Sequence, residues 1–436
     1  LPMRAELCSE EESLISKMDR RLIFGFLPTW HTDITSLPPG YTNDSYDEAM
    51  VAMMRRTDGG DNSHAQSCRI SLNWDLIEPN APVGGQHTYD WTTHEFDKQV
   101  DLLVAHGIEP LALVIGTPWW AKAIDRTGTA TGGGTDYLDD SAGGFLTFNG
   151  DYDIQITSGA GQGQSRHVDA GRRTDTRMYV TEAWLTPPAA GSGYQIGGHA
   201  AFVMPQEAHR ASFEAFCQAA ASHYQGKIRY FEFWNEPDLG ACTRFFNAAT
   251  YTSWLHSAHG AIVGQNPDAL VSIGGLLRAD MGYLSGTGGI YPTIAASADT
   301  NPDHYFDALA YHPYPPGQPP FDPPIRYSSF EAYRNELVSH GDGEKSIWIT
   351  EYGWALGSVI TEAVQRDYLS ESLQWLYAAE RYYVTLATFH VFADHAGPSF
   401  GVCTSALQPR LAYTWFRDYA APRTPTWEIK APFVTL

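Results

Sequence analysis

The feature that most constrains this chain is a repeated beat. Short apolar runs ending in polar or aromatic residues alternate with segments of helical period, eight times over, at RLIFGF (21–26), CRISL (68–72), PLALVI (110–115), IRYFEFW (228–234), LVSIGG (270–275), FDALAYH (306–312), IWITEY (347–352) and LATFHVF (386–392). Their starts fall roughly 40 residues apart except between the third and fourth, where the interval is about 75 residues longer. Apolar runs that alternate with helices are what parallel strands need, because each strand is covered on both faces and each crossover requires a helix. Eight such units predict an α/β fold, a (β/α)8 TIM barrel.

The intervening segments support this. HEFDKQVDLLVAHG (94–107) places Phe96, Val100 and Leu103 on one face and stops at Gly107, a residue suited to a left-handed cap. The segment 361–383 carries Val364, Tyr368, Leu373 and Leu376 behind a Thr361 cap. The long interval, 125–205, is different in kind: TGTATGGGTDY is rich in glycine, and the segments after it alternate as antiparallel strands do. It predicts a β-rich inserted subdomain after strand three, over the barrel's C-terminal face, with 1–124 and 206–436 forming the catalytic barrel.

Composition narrows the partner. Hydrophobic residues make up 43% and charged residues 18%, enough for a large core, and the formal net charge is −22. Such a surface disfavours nucleic-acid phosphates and anionic membranes, so a neutral or polar partner is expected. No apolar run approaches the 18 or so residues of a membrane span. Because Leu1 is not methionine, a removed leader is compatible with the sequence, and a secreted or extracytoplasmic location is expected. The five cysteines form no CxxC pair; Cys68 and Cys217 read as buried thiols, while Cys242 and Cys403 fall in loop-like segments that would allow a disulfide.

The chemistry concentrates at strand ends. FEFWNEPD (231–238) ends the fourth strand with Asn235 and Glu236, and SIWITEYGW (346–354) ends the seventh with Glu351. Three units apart around a closed barrel, the two carboxylates face each other across one mouth, and glycosidic cleavage uses such a pair, one to protonate the leaving oxygen and one to attack carbon or activate water. Other chemistries lack their marks. His94-Glu95 is followed by Lys98 where a helical zinc site needs histidine, Gly159-Ala-Gly161-Gln-Gly163 lacks the third dinucleotide glycine, and Asp58-Gly-Gly-Asp61-Asn62 reads as a solvated acidic turn rather than a calcium loop. No metal and no cofactor is expected.

Asn-Glu-Pro after strand four, Thr-Glu-Tyr-Gly after strand seven and AYHPYP (310–315) after strand six together resemble the clan of retaining glycoside hydrolases built on (β/α)8 barrels; WNEPD, TPWWA (117–121) and the SIGG strand are most similar to family 39, with families 5 and 30 close to it. The resemblance covers roughly residues 20–420 apart from the insertion. It implies that Glu236 is the general acid/base, that Glu351 is the nucleophile, and that Asn235 bonds the sugar 2-hydroxyl. It further implies that Tyr314 orients Glu351, that His312 lines the same subsite, and that Arg69 is the strand-two arginine supporting the nucleophile. A carbohydrate substrate would stack on aromatic rings, and Trp30, Trp74, Trp119, Trp120 and Trp354 all follow strand segments, so two or three of them are expected in the cleft. Trp234 and Trp348 lie inside strands and read as barrel packing. Where many clan members carry a strand-eight tryptophan, this chain offers Phe389, His390, Phe392 and Asp394. A transglycosylase on the same site and a non-catalytic carbohydrate-binding barrel are the alternatives. Sugar identity, linkage, endo or exo action and oligomeric state are left open by the sequence.

Overall fold

The computed structural model describes residues 22–30, 37–54, 65–277, 281–314, 327–376, 382–395 and 397–420. Cys8, the acidic turn at 58–62 and residues 377–381 of the 361–383 segment lie outside them. The eight strands are β1 (Ile23–Phe26), β2 (Ser67–Asn73), β3 (Glu109–Ile115), β4 (Tyr230–Phe233), β5 (Leu270–Ile273), β6 (Ala308–Tyr311), β7 (Ser346–Tyr352) and β8 (Val384–Phe389). They close into one barrel in chain order, every neighbour parallel, with β1 pairing β8 through Ile23 and Leu386. A helix of seven residues or more follows every strand, from Asn43–Met54 after β1 to Leu411–Ala420 after β8. Among the described residues no helix is long and apolar enough to cross a membrane.

Strand alternation builds two separate cores. Outward residues such as Cys68, Ile70, Leu72, Phe231, Phe233, Ile347 and Ile349 pack against the helices in one large cluster. Inward residues Ile23, Leu111, Tyr230, Ala308, Ala310, Trp348 and Leu386 fill the barrel's floor, with Trp348 edge-on to Tyr230 at 5.4 Å. Each large apolar side chain buried this way contributes about 1.5–3 kcal/mol. Trp348 and Trp234, each 1% exposed, are packing residues. The expected caps form as well: Gly107 has φ +68° at the end of Phe96–Ala105, and Thr361 Oγ1 accepts from Val364 N at 3.3 Å.

The long interval holds two antiparallel sheets. Four strands order as Arg126–Thr129, Gly193–Gly198, Tyr152–Ser158 and Ser165–His167, and three as Gly132–Gly134, Tyr137–Asp139 and Arg177–Tyr179. Leu138, Ile154, Ile156, Met178, Tyr194 and Ile196 form a buried cluster of their own. These sheets dock on the segments that leave β3 and β4. Thr117 N donates to Ala200 O at 3.0 Å, Arg244 Nε to Asp151 Oδ2 at 2.7 Å, and the Tyr152 and Phe245 rings meet edge-to-face at 5.2 Å.

One expectation is corrected. Cys68, Cys217, Cys242 and Cys403 are all buried free thiols. Cys242 lies on the turn Gly240–Thr243 beyond β4, with Sγ directed at Asn235 O, whereas Cys403 bridges Ala393 and Pro409 beyond β8. β4 and β8 stand on opposite sides of the barrel, so the loops that carry them do not bring the two thiols together. Burial pushes the Cys242 thiol up to about 12, which leaves it unreactive.

Candidate active site

At the C-terminal end of the barrel the inward positions change from apolar to charged. Arg69, 5% exposed, stands on β2 between the outward Cys68 and Ile70 and reaches three groups. Its Nε donates to Glu232 Oε2 at 2.6 Å, one terminal nitrogen to Glu351 Oε1 and the other to Asn235 Oδ1 at 2.8 Å. Tyr314 OH donates to the second Glu351 oxygen at 2.9 Å. His312 is fully buried; its Nδ1 meets Glu236 Oε1 and its Nε2 meets Thr350 Oγ1, both at 2.9 Å. The structure therefore brings Arg69, Asn235, Glu236, His312, Tyr314 and Glu351 into one network. One carboxyl oxygen each from Glu236 and Glu351 and one His312 nitrogen lie within 4.8 Å of each other.

Local irregularities aim these side chains. On β7, Trp348 and Thr350 point inward, and strict alternation would send Glu351 out; the register with β8 shifts between Ile349 and Tyr352, so Glu351 also faces the mouth. Just past β4, Trp234 (φ +68°) and Glu236 (φ +45°), on either side of Asn235, take the left-handed region, a conformation that costs non-glycine residues about 1–3 kcal/mol and clusters at functional sites. Gly275 makes room for the histidine: a Cβ there would sit 2.1 Å from His312 Nε2.

The network's electrostatics act on Glu351, Tyr314 and His312. Burial opposes the charge on Glu351, but the positive charges of His312 and Arg69 and the Tyr314 hydrogen bond outweigh it and hold its carboxyl down at about 2. Burial, reinforced by the Glu351 charge, pushes the Tyr314 phenol well up and keeps it a donor. For His312, burial works against the charged ring, yet Glu351 and the Glu236 hydrogen bond raise its pKa. The Thr350 hydroxyl donates to Glu232 Oε1 at 2.8 Å, so its oxygen is left to accept from His312 Nε2–H. The other ring nitrogen, Nδ1, faces Glu236 Oε1 across a hydrogen bond. The three mouth groups have ligand-type atoms at metal-binding spacing, but every Glu351 oxygen and both His312 nitrogens already bond protein groups, and the Arg69 guanidinium supplies a fixed cation.

A cleft of about 660 Å³ opens beside Arg69, lined by Trp30, Ser71, His94, His390 and His395 among others. Of the five tryptophans expected near a substrate, Trp30 borders this cleft and the other four do not line it. Trp119 faces the insertion, with Nε1 bonded to Ser165 Oγ at 3.1 Å and Lys122 Nζ 3.5 Å above its ring. Trp120 donates to Glu78 O at 3.0 Å and packs edge-on to Trp74, which itself stacks on Phe216. Trp354, 3% exposed, packs among Tyr352, Tyr368 and Phe389 on the helix side of the strands. Their positions after strands are as expected, but the chain turns outward there: Trp74, Trp120 and Trp354 find apolar neighbours behind the barrel, and Trp119 lies against the insertion.

No family model matches this chain, and no curated protein matches its sequence. Solved structures do match. A family 39 glycoside hydrolase from the gut symbiont Bacteroides cellulosilyticus WH2 aligns with a TM-score of 0.53 at 16% identity, over 91% of this chain and 64% of that one. A monomeric beta-xylosidase from Caulobacter crescentus CB15 gives 0.55 at 15%, over 93% and 69%. The fold these structures share with this chain is the (β/α)8 barrel. An exo-beta-1,4-mannosidase from Opitutaceae bacterium strain TAV5 shares it, with a TM-score of 0.52 at 14% identity, over 92% of this chain and 60% of that one. This chain thus spans less than two thirds of the length of two of the three structures.

Within the barrel mouth, two residues of the network were not singled out from sequence. Glu232, 0% exposed, anchors Arg69 from below and also accepts from Gly275 N at 2.8 Å; Thr350 links it to His312. The signal was present, since Glu232 alternates with the outward Phe231 and Phe233 and is therefore a charge at an inward position. On strand eight, the structure selects His390. Phe389 and Phe392 are fully buried in the outer core, and Asp394 is held by two Arg410 nitrogens at 2.9 and 2.5 Å, whereas His390 borders the cleft, and burial lowers its pKa against the pull of Glu351.

Proposed function

We propose that this chain hydrolyses glycosidic bonds of an oligo- or polysaccharide by double displacement with retention, Glu351 acting as nucleophile and Glu236 as acid/base. The observation that carries this reading is the pair of mouth carboxyls with oxygens within 4.8 Å, held by different partners. Retaining enzymes space their carboxyls about 5–5.5 Å apart, and inverting enzymes about 6.5–9.5 Å to admit a water. Arg69 and Tyr314 keep Glu351 ionised and oriented, as a nucleophile requires, while Glu236 bonds a histidine that can share a proton with it.

In the first step a Glu351 oxygen bonds the anomeric carbon as the bond to the leaving oxygen breaks, and Glu236 gives that oxygen its proton. In the second, Glu236 takes a proton from water, whose oxygen replaces the Glu351 ester. Asn235 offers its carbonyl oxygen to Arg69, which leaves its amide N–H groups to donate to the sugar 2-hydroxyl. The β-rich insertion of 125–205 forms, in this reading, a subdomain flanking the mouth, and a polymeric substrate places the activity outside the cytoplasm.

The test is chemical rescue. Glu351→Ala should lose activity on all glycosides, and azide should restore turnover with a glycosyl azide of inverted configuration. Glu236→Ala should still react with an aryl glycoside carrying a good leaving group, stall as the glycosyl-enzyme, and give a retained azide product. The reverse pairing of configurations would exchange the two roles, and hydrolysis untouched by both substitutions would end the reading. A polysaccharide panel run with and without an acceptor sugar distinguishes hydrolase, transglycosylase and non-catalytic binder.

A further inference from the structure

Away from the barrel mouth, ligand-type side chains converge on the four-stranded sheet of the insertion. Asp153 of Tyr152–Ser158 pairs directly with His167 of Ser165–His167 on one side and with Gly197 on the other, and His199 follows Gly197 by two residues. Opposed residues, and residues two apart, share a sheet face. Three adjoining chain segments therefore present one carboxylate and two imidazoles to the same patch.

Their atoms are spaced as a coordination shell would be. His167 Nδ1 is hydrogen-bonded to Asp153 Oδ1 at 3.0 Å, a bond an ion would replace, and His199 Nδ1 lies 3.5 Å from Oδ2, with one ligand atom from each residue within 4.8 Å of the other two. Ligands about 2.0–2.1 Å from a tetrahedral zinc ion stand about 3.4 Å from each other. Hydrogen bonding alone does not account for the group. His199 Nδ1 is buried and makes no hydrogen bond, although buried polar atoms are almost always partnered. The third acidic cluster of the described residues, Asp303, Asp342 and Glu344, differs in this respect, because Lys345 Nζ already sits 2.5 Å from Asp303 and 3.6 Å from Asp342.

We propose that Asp153, His167 and His199 bind a divalent transition ion of the zinc class, which cross-links the insertion's sheet where it meets the barrel. Two imidazoles and one carboxylate suit zinc, cobalt or nickel, whereas magnesium and calcium take oxygen ligands. The His167 and His199 side chains are 33% and 38% exposed, so water can complete the shell. The ion would stand beside the docking contacts of Ala200 with Thr117 and of Ser165 with Trp119, and so would stiffen the junction. Lys122 is its competitor, with Nζ 3.7 Å from Asp153 Oδ2 and bonded to Gly198 O at 2.8 Å.

The test uses the untagged full chain, stripped with a chelator and titrated with zinc chloride by calorimetry and thermal melting, with magnesium chloride as control. Zinc should bind at about one equivalent and raise the melting temperature, and magnesium should do neither. His199→Gln should weaken zinc binding about 100-fold or more, because losing a direct ligand exceeds the 10–100-fold cost of losing its supporting partner. Lys122→Met should tighten it by removing the competing ammonium, which tests the site even if the histidine variant fails to fold. Glu351→Gln should bind zinc as the wild type does. Absence of zinc binding, unchanged affinity in both His199→Gln and Lys122→Met, or loss of binding in Glu351→Gln, which would put the ion at the barrel mouth, would overturn the proposal.

Discussion

The floor and the mouth of the barrel are built from the same strands, and often from residues only two apart. Trp348 lies on the floor and Thr350 in the mouth; Tyr230 and Glu232, and Ala310 and His312, repeat the step on β4 and β6. The floor is apolar and holds the barrel closed. The mouth packs three carboxylates, a guanidinium and an imidazole into one hydrogen-bonded network, an arrangement that stays folded because every charge has a partner and the layer beneath excludes water. The difference teaches that a strand can assign stability and chemistry to successive inward positions, since only the last inward residue meets the opening.

The sharpest way to break that division is Glu351→Gln. It keeps shape and hydrogen bonding at the mouth but removes the proposed nucleophile, so kcat should fall by about 10⁴–10⁶ while the melting temperature moves by a few degrees at most. A large stability loss with modest kinetic change would make Glu351 a structural group. The complementary change is Trp348→Ala on the floor. Deleting this buried ring should cost about 3–5 kcal/mol in denaturant unfolding and leave kcat of the folded fraction nearly unchanged.

Acid titration sharpens the comparison further. The Glu351 carboxyl sits at about 2 in the folded chain against an ordinary 4.5. A depressed folded pKa adds stability that is fully present above the unfolded value and is lost as pH falls through the folded one, so this contribution should be constant above about pH 4.5 and decline from there toward pH 2. Glu351→Gln should flatten that part of the stability profile, and Trp348→Ala should lower the profile without changing its slope. The smallest expected effect is at the cleft wall: Trp30→Ala should weaken substrate binding by about tenfold, seen in KM with kcat preserved, which corresponds to one lost ring contact.

Much of the molecule was legible from the pattern of residues. All eight strand segments were readable because parallel strands covered on both faces are continuous apolar runs, and β4, β5 and β6 end at Phe233, Ile273 and Tyr311, just short of the mouth residues Asn235, Gly275 and His312. Of the residues the sequence pointed to, Asn235, Glu236, His312, Tyr314 and Glu351 lie at or just past strand ends, which closure of a barrel brings together, and Arg69, inside β2, reaches them through its long side chain. Trp119, Trp120 and Trp354 show where such reading stops. A ring after a strand can turn into the cleft, against the insertion or behind the barrel, and the local sequence is the same in each case.

By itself, then, the sequence determined the number and order of strands, the place of the insertion and the residue types at the strand ends, because these follow from local periodicity and chain direction. The tertiary structure alone decided that Glu232 is the anchor beneath Arg69, that a shift of register turns Glu351 inward beside Thr350, that Cys242 and Cys403 remain apart, and that Asp153, His167 and His199 converge. Each of those depends on which distant segments are brought within a few ångströms of one another, and contacts across such separations in the chain have no periodicity to read.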